Sequence, residues 1–270
     1  MNNTKDRTYL DCHIDSRGVA TLTLNRIDKH NAFNAEVIEA LIESIESLAH
    51  DESVRCLVLQ GNGKHFSAGA DLAWMKSMAS KTEQENRQDA SRLAFLMQCL
   101  DNFPHPTLAL VHGCAFGGAL GLICCCDIAL ADDSALFCLS EVKLGLVPAT
   151  IGPYVNRSIG ARQSRRYMLT AERFDAVQAL HMGLIHEVVS SEQVSERREH
   201  ILSHLLVNSP VAMTKAKLLI QQCESKPLAH ELIDYTSELI AKVRVSEQGQ
   251  EGLSAFFEKR SASWVNEGQP

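Results

Sequence analysis

The chain has 270 residues, 45% of them hydrophobic and 22% charged, with a formal net charge of −7. That length suits one large domain or a core with an appendage, and it is enough to bury a substantial core. The acidic balance, without any long basic run, points away from a nucleic-acid surface, and no apolar run is long enough to span a membrane.

The polar start, residues 1–11, has no apolar h-region, so no secretory leader is expected and a soluble, cytoplasmic protein is the default. The nine cysteines are odd in number and irregular in spacing, which does not suggest a disulfide framework. Cys124, Cys125 and Cys126 are adjacent and cannot easily share one tetrahedral metal. The cysteines read as small buried hydrophobes in a reducing compartment.

Two short alternating segments, 9–14 and 19–24, flank Asp15-Ser16-Arg17-Gly18 and predict a β-hairpin. An irregular polar run leads to Asn34, a fitting N-cap for a helix carrying Val37, Leu41, Ile42, Ile45 and Leu48 on one face. Residues 54–60 predict a buried strand, followed by a Gly-rich loop and the small residues Ser67-Ala68-Gly69-Ala70. Such residues let backbone approach a ligand closely. A helix is expected over 83–100, ended by the Pro-containing run 101–106, and then a buried strand over 107–111.

The stretch Val111 to Ala149 reads as the organising centre. Gly117-Gly118-Ala119 opens an apolar helix, a strand over 127–131 follows, and Glu141 stands in an apolar frame behind it. Strands alternating with helices imply crossover units and a parallel core. Beyond Pro148, helices are expected over 151–159, 163–169 and 174–181, with a last short strand at 185–189. The tail is helical over 195–206, 210–223, 229–243 and 248–259, with Pro210 at a first helical position.

There is no G-x-G-x-x-G, P-loop, G-x-S-x-G or metal-ligand spacing of convincing context. What remains is two strand-to-helix turns, at 67–71 and 117–119, and Glu141. Two backbone N–H groups from separate turns can form an oxyanion hole, and an acid beside it can move protons next to a polarised carbonyl. Taken alone, the same glycines also fit ordinary tight packing.

The sequence resembles the crotonase, or enoyl-CoA hydratase/isomerase, superfamily. The resemblance runs in order through Asn25-Arg26, Asn31 to Asn34, Phe66 to Leu72, Gly113 with Phe116-Gly117-Gly118, and Cys126-Asp127-Ile128-Ala129. It continues through Phe137 with Glu141 to Pro148, Leu169-Thr170-Ala171, Gly183-Leu184, and Glu251 to Phe256 with Glu258-Lys259-Arg260. It implies an α/β fold with a ββα-spiral catalytic core over 1–195. A helical trimerisation region over 196–270 would assemble a homotrimer or a homohexamer. It also implies an acyl-CoA substrate, with no separate cofactor and no metal, since coenzyme A belongs to the substrate.

The resemblance places the oxyanion donors on the N–H groups of Ala70 and Gly118. It assigns coenzyme A contacts to Lys29, His30, Ala32, Ala68, Asp71 and Leu72, and further ones to Phe256 and Lys259. Glu141 falls on the second of two family glutamates, the one that handles the α-carbon proton. The first, which positions water, falls on Gly121, a departure that puts two-glutamate hydration in question.

The segments Ala70 to Met75 and Phe137 to Gly145 are similar to bacterial methylglutaconyl-CoA hydratases of leucine breakdown, and equally to isohexenylglutaconyl-CoA hydratases of terpene breakdown. The expectation is therefore hydration of a branched, carboxylated 2-enoyl-CoA. Gly121 would leave room for the branch and spare the substrate carboxylate a like charge. Lys143 and Arg157 are cations available by type to meet that carboxylate, although solvated surface is the more expected place for each. A one-glutamate enoyl-CoA isomerase and a non-catalytic acyl-CoA-binding scaffold are the alternatives.

Overall fold

The computed structural model describes residues 9–265. The chain divides into two compact units. One runs to Phe103 and from Thr107 to Arg197, and the other takes Pro104–Pro106 and the chain from Arg198 onward.

The first unit opens with the expected hairpin, β1 (Leu10–Ile14) antiparallel to β2 (Val19–Leu24). Gly18 turns it at φ +81°. Asn34 caps α1 (Ala35–His50), its side chain accepting from Val37 N–H at 3.0 Å. The predicted stripe from Val37 to Leu48 is the buried face of α1. Then follow β3 (Cys56–Gly61), the short α2 (Leu72–Met78), α3 (Glu83–Asp101) and β4 (Thr107–Val111). Next come β5 (Cys114–Phe116), α4 (Gly118–Cys125), β6 (Ile128–Asp132) and β7 (Leu136–Cys138). The long α5 (Gly152–Thr170), β8 (Phe174–Asp175), α6 (Ala176–Met182) and β9 (Glu187–Val189) complete the core elements.

The main sheet has the order β1-β2-β3-β4-β6-β9, parallel from β2 onward. Its central strands are buried along most of their length, as expected of a parallel sheet covered on both faces. Thr107 and Asp127 pin β4 to β6, the Asp127 carboxylate accepting from Thr107 N–H at 2.8 Å. Cys124, Cys125 and Cys126 are buried, and burial pushes the Cys124 thiol up to about 12. That is the behaviour expected of small core hydrophobes.

A second sheet, β5-β7-β8, escaped the sequence reading. Its strands are too short to carry a period-2 signal. Isolated bridges extend the ladder, Ser67 beside Ala115 and Phe33 beside Ala70. This layer gathers the turns at 67–71, 117–118 and 138–141. Two further expectations are corrected. The helices at 151–159 and 163–169 are joined as α5 across a break at Gly160, where φ is +73°. The helix expected from Phe174 begins only at Ala176, because Phe174 pairs with Phe137 in the sheet and Asp175 becomes the N-cap.

The second unit contains α8 (Pro210–Ser225), α9 (His230–Arg244) and α10 (Glu247–Glu258), reached through α7 (Val194–Leu206). Ser209 caps α8 ahead of Pro210, and the Trp264 indole donates to Val207 O at 3.1 Å. Among the described residues no helix is long and apolar enough to cross a membrane.

Candidate active site

A cavity of about 670 Å³, lined only by residues of the first unit, lies where the second sheet meets α2, α3 and the loop after Glu141. It brings together four of the residues singled out by the sequence: Ala68, Ala70, Gly118 and Glu141.

Backbone geometry fixes the two turns. Gly69 has φ +90°, and a Cβ there would lie 2.8 Å from Phe116 O, so this position holds the upstream turn tight against the downstream one. Phe33 locks the upstream turn from the other side. Its N–H donates to Gly69 O and its carbonyl accepts from Asp71 N–H, both at 2.7 Å. Gly117 has φ 52° and ψ −122°, and its N–H donates to Cys138 O at 2.9 Å. That bond ties the turn to the strand leading into Glu141. Neither Ala70 N–H nor Gly118 N–H has a hydrogen-bond acceptor among the described residues. Gly118 begins α4, where first-turn N–H groups lack intrahelical partners.

Glu141 starts a single 3-10 turn, Glu141–Leu144. Its Oε1 lies 3.2 Å from where a Cβ on Gly117 would stand, and its Oε2 is buried with no hydrogen-bond partner among the described residues. Burial pushes its carboxyl above the ordinary range, opposed only by its own backbone N–H. A desolvated, unshared carboxyl beside two unsatisfied N–H donors can exchange protons with a ligand whose oxygen those donors hold.

The other predicted residues are placed differently. Gly121 does not line the cavity, and the room expected there is absent. A Cβ on Gly121 would fall 2.4 Å from Ile151 Cγ2 and 2.8 Å from Met97 Sδ. Ile151 lines the cavity wall in its place. No local signal announces this, because Ile151 lies 30 residues downstream and its packing is set by the start of α5.

Asp71 is buried and employed in the fold. Its Oδ1 accepts from Ala73 and Trp74 N–H at 2.7 and 3.0 Å, and its Oδ2 pairs with Arg26 at 2.8 Å. The Trp74 N–H, followed by Ala73 and Arg26, holds its carboxyl below the ordinary range against the effect of burial. Lys29 and His30 are exposed in the loop before α1, Ala32 is buried, and Leu72 is 79% exposed at the start of α2. That loop is pinned by Asn31, whose side-chain amide donates to Asn62 O and His65 O at 2.9 Å. His30 O also accepts from Ala68 N–H at 2.9 Å. Phe256 and Lys259 belong to the second unit, where Phe256 is exposed and Lys259 caps α10 at φ 55°. Lys143 is exposed and Arg157 pairs with Asp101. Neither cation lines the cavity.

Cavity residues missed in the sequence include Trp74, Met75 and Met78 of α2, and Asp89 and Leu93 of α3. Asp89, Leu93 and Met97 follow i, i+4 spacing, the one signal in the sequence that could have placed Asp89 on the inward face. Among the described residues no group of three or more His, Cys, Asp or Glu is gathered as metal ligands.

Residues 15–267 match the family model described as enoyl-CoA hydratase/isomerase. Among solved structures the chain is similar to an enoyl-CoA hydratase of Shewanella pealeana. They are 52% identical, the match covers 95% of this chain and 96% of that one, and the TM-score is 0.92. It is also similar to a Legionella pneumophila chain described as an enoyl-CoA hydratase/isomerase (crotonase). Here identity is 46%, coverage 95% and 98%, and the TM-score 0.89. The 2,3-dehydroadipyl-CoA hydratase of Escherichia coli is 32% identical over 90% of this chain and 93% of its own length. The expected fold, an α/β core followed by helices, is the one these chains share.

Proposed function

Because the chain belongs to the enoyl-CoA hydratase/isomerase family, we propose that it adds water across the double bond of a 2-enoyl-CoA, with Glu141 as the principal acid and base. The observation that carries this reading is the buried, unshared Glu141 carboxyl set against the Gly117–Gly118 turn. In the proposed reaction the thioester oxygen accepts hydrogen bonds from Ala70 and Gly118 N–H. These strengthen as the oxygen becomes enolate-like, each worth about 2.7–4 kcal/mol of barrier. Glu141 takes a proton from water as the oxygen attacks C3, then returns a proton to C2 on the same face. The result is syn addition to give a 3-hydroxyacyl-CoA. A carboxyl with a raised pKa suits both halves of that exchange. No separate cofactor enters, since coenzyme A arrives with the substrate.

The acyl group we propose is branched and carboxylated, with 3-methylglutaconyl-CoA first and isohexenylglutaconyl-CoA second. The segments Ala70–Met75 and Phe137–Gly145 support it, as does an Escherichia coli relative named for a dicarboxylic enoyl-CoA. Apolar lining from Met75, Met78, Leu93 and Ile151 suits the branch. Lys29, His30, Ala32, Ala68, Asp71 and Leu72 are proposed for coenzyme A, Asp71 and Ala32 through backbone. Phe256 and Lys259 are proposed to reach coenzyme A from a neighbouring subunit. Assembly as a trimer or as two trimers is part of the reading, supported by the exposed apolar side chains Ile233, Ile240, Phe256 and Phe257 in the second unit.

A second reading has one observation in its favour. With the space at Gly121 filled, a single carboxyl faces the turn, and one carboxyl suffices to move a proton from the α- to the γ-carbon. Product analysis over crotonyl-, methylglutaconyl- and isohexenylglutaconyl-CoA separates the two. The proposal expects a 3-hydroxy product, greatest with a carboxylated ester. A shifted double bond with no water added would replace hydration by isomerisation. Tight binding with no turnover would leave an acyl-CoA scaffold.

A further inference from the structure

Ser67 is fully buried and stands behind the cavity wall formed by Ala68, Gly69 and Ala70. It has no surface for a ligand, yet both turns are built on it. Its backbone holds the downstream turn: Ser67 N–H donates to Cys114 O, and Ser67 O accepts from Phe116 N–H, both at 3.1 Å. Its hydroxyl holds the upstream one. Oγ donates to Asn31 O at 2.8 Å and accepts from Gly69 N–H at 3.2 Å. A hydroxyl can do both, since it carries one hydrogen and two lone pairs. Asn31 is itself fixed. Its amide donates to Asn62 O and His65 O, and its Oδ1 accepts from Arg26 N–H, each at 2.9 Å.

The bond to Gly69 matters because of where that residue sits. Gly69 is the hinge before the Ala70 N–H, and a glycine has no Cβ to restrict its rotation. Two bonds hold it at φ +90°, from Phe33 N–H to its carbonyl and from its own N–H to Ser67 Oγ. The Gly69 carbonyl shares a peptide plane with the Ala70 N–H, so the two bonds together set the direction of that N–H. We infer that Ser67 is a positioning residue for the reaction: its hydroxyl, braced on Asn31 O, holds Gly69 so that the Ala70 N–H meets the thioester oxygen together with that of Gly118. The inference rests on the proposed oxyanion role of those two N–H groups. Ser67→Ala removes Oγ with little change in volume, takes that partner from Gly69 N–H and Asn31 O in the interior, and frees Gly69 to turn.

The test compares wild type, Ser67→Cys and Ser67→Ala as full chains. One readout is the carbonyl stretch of butyryl-CoA, labelled with carbon-13 at the thioester carbon, free and bound, by isotope-edited infrared spectroscopy. Hydrogen bonds to the oxygen lower that stretch, and the saturated ester is not turned over, so the readout is the same whether water is added or a double bond moves. The other readout is kcat with crotonyl-CoA beside the Kd of butyryl-CoA. The expected lowering of the stretch is largest in wild type, smaller with Cys, whose thiol donates and accepts only weakly, and smallest with Ala. Turnover falls in the same order, roughly tenfold for Ala, which is less than the 10²–10³-fold typical of removing a whole donor, while Kd stays within a few-fold. A serine that serves the fold alone would lower the urea midpoint and leave the bound stretch and kcat unchanged; that result overturns the inference and leaves the oxyanion reading intact. Should Ser67→Ala fail to fold, the Cys variant decides by the same criterion. Wild type that binds butyryl-CoA without lowering its stretch overturns the oxyanion role itself, and this inference with it.

Discussion

Filling the space at Gly121 is the sharpest structural expectation. Gly121→Ala places a methyl 2.4 Å from Ile151 Cγ2, 2.8 Å from Met97 Sδ and 3.0 Å from Ile151 Cβ. Carbon contacts are comfortable only at about 3.5–4.0 Å. Met97 is 0% exposed, and Ile151, 1% exposed, can give way only toward the cavity it lines. Met97 can rearrange its flexible thioether, but a β-branched Ile151 is stiff at χ1. Overpacking of this kind costs about 1–3 kcal/mol. Ile151→Ala alone, leaving a void, costs about 2–5 kcal/mol. Because each substitution supplies what the other lacks, the double variant should cost less than the sum by roughly 1–3 kcal/mol. Urea unfolding of the four proteins, with unchanged m values, measures this coupling directly. Additivity within about 0.5 kcal/mol would refute the claim that Ile151 occupies the place of a side chain at 121. The same geometry dictates that a glutamate at 121 be tried only together with Ile151→Ala. In the native background, steric damage would mask any effect of its charge.

Other expectations are more local. Gly117→Ala forces an alanine to φ 52° and ψ −122° with its Cβ 3.2 Å from Glu141 Oε1; the strain should cost about 1–3 kcal/mol in thermal or urea unfolding, with turnover falling further because the acid is displaced. Asp71→Ala removes a helix cap and leaves Arg26, whose side chain is 15% exposed, without its carboxylate partner and with only Ala32 O to accept from it, a loss of about 3 kcal/mol by denaturant titration. Since the Asp71 carboxyl is held low, its contribution is present above the unfolded-state pKa and disappears as pH falls through the folded value. Glu141 has the opposite sign. Its carboxyl is raised on folding, so its relative stability is greatest below the unfolded pKa and declines as pH rises through the folded one. Glu141→Gln should therefore be more stable than wild type at neutral pH, by a margin that vanishes in acid.

Much of the frame was legible because it rests on periodicity and caps. The α1 stripe from Val37 to Leu48, the Asn34 cap, the 19–24 and 107–111 strands and the helical tail all carry local signals that tertiary packing reinforced. The turns at Gly69 and Gly117 were legible as clusters of small residues, and Glu141 as an acid in apolar company. The second sheet was not, since strands of two or three residues have no period and are held by partners such as Ser67 with Ala115. Gly121 shows the limit from the other side. A missing side chain read as open room, whereas its volume was taken by Ile151 and Met97 from two other helical segments. Asp89 was hidden by the polar start of α3. Only the fold-back of α2 turns that part of the helix into a cavity wall.

The central claim is that one buried carboxyl performs the proton transfers of hydration, and replacing it tests this most directly. Hydration of the preferred enoyl-CoA by wild type and by Glu141→Gln should be compared alongside binding of a saturated acyl-CoA. The account predicts a fall in kcat of roughly 10²–10⁴-fold with acyl-CoA binding retained. A glutamine variant that still hydrates within a few-fold of wild type would contradict it.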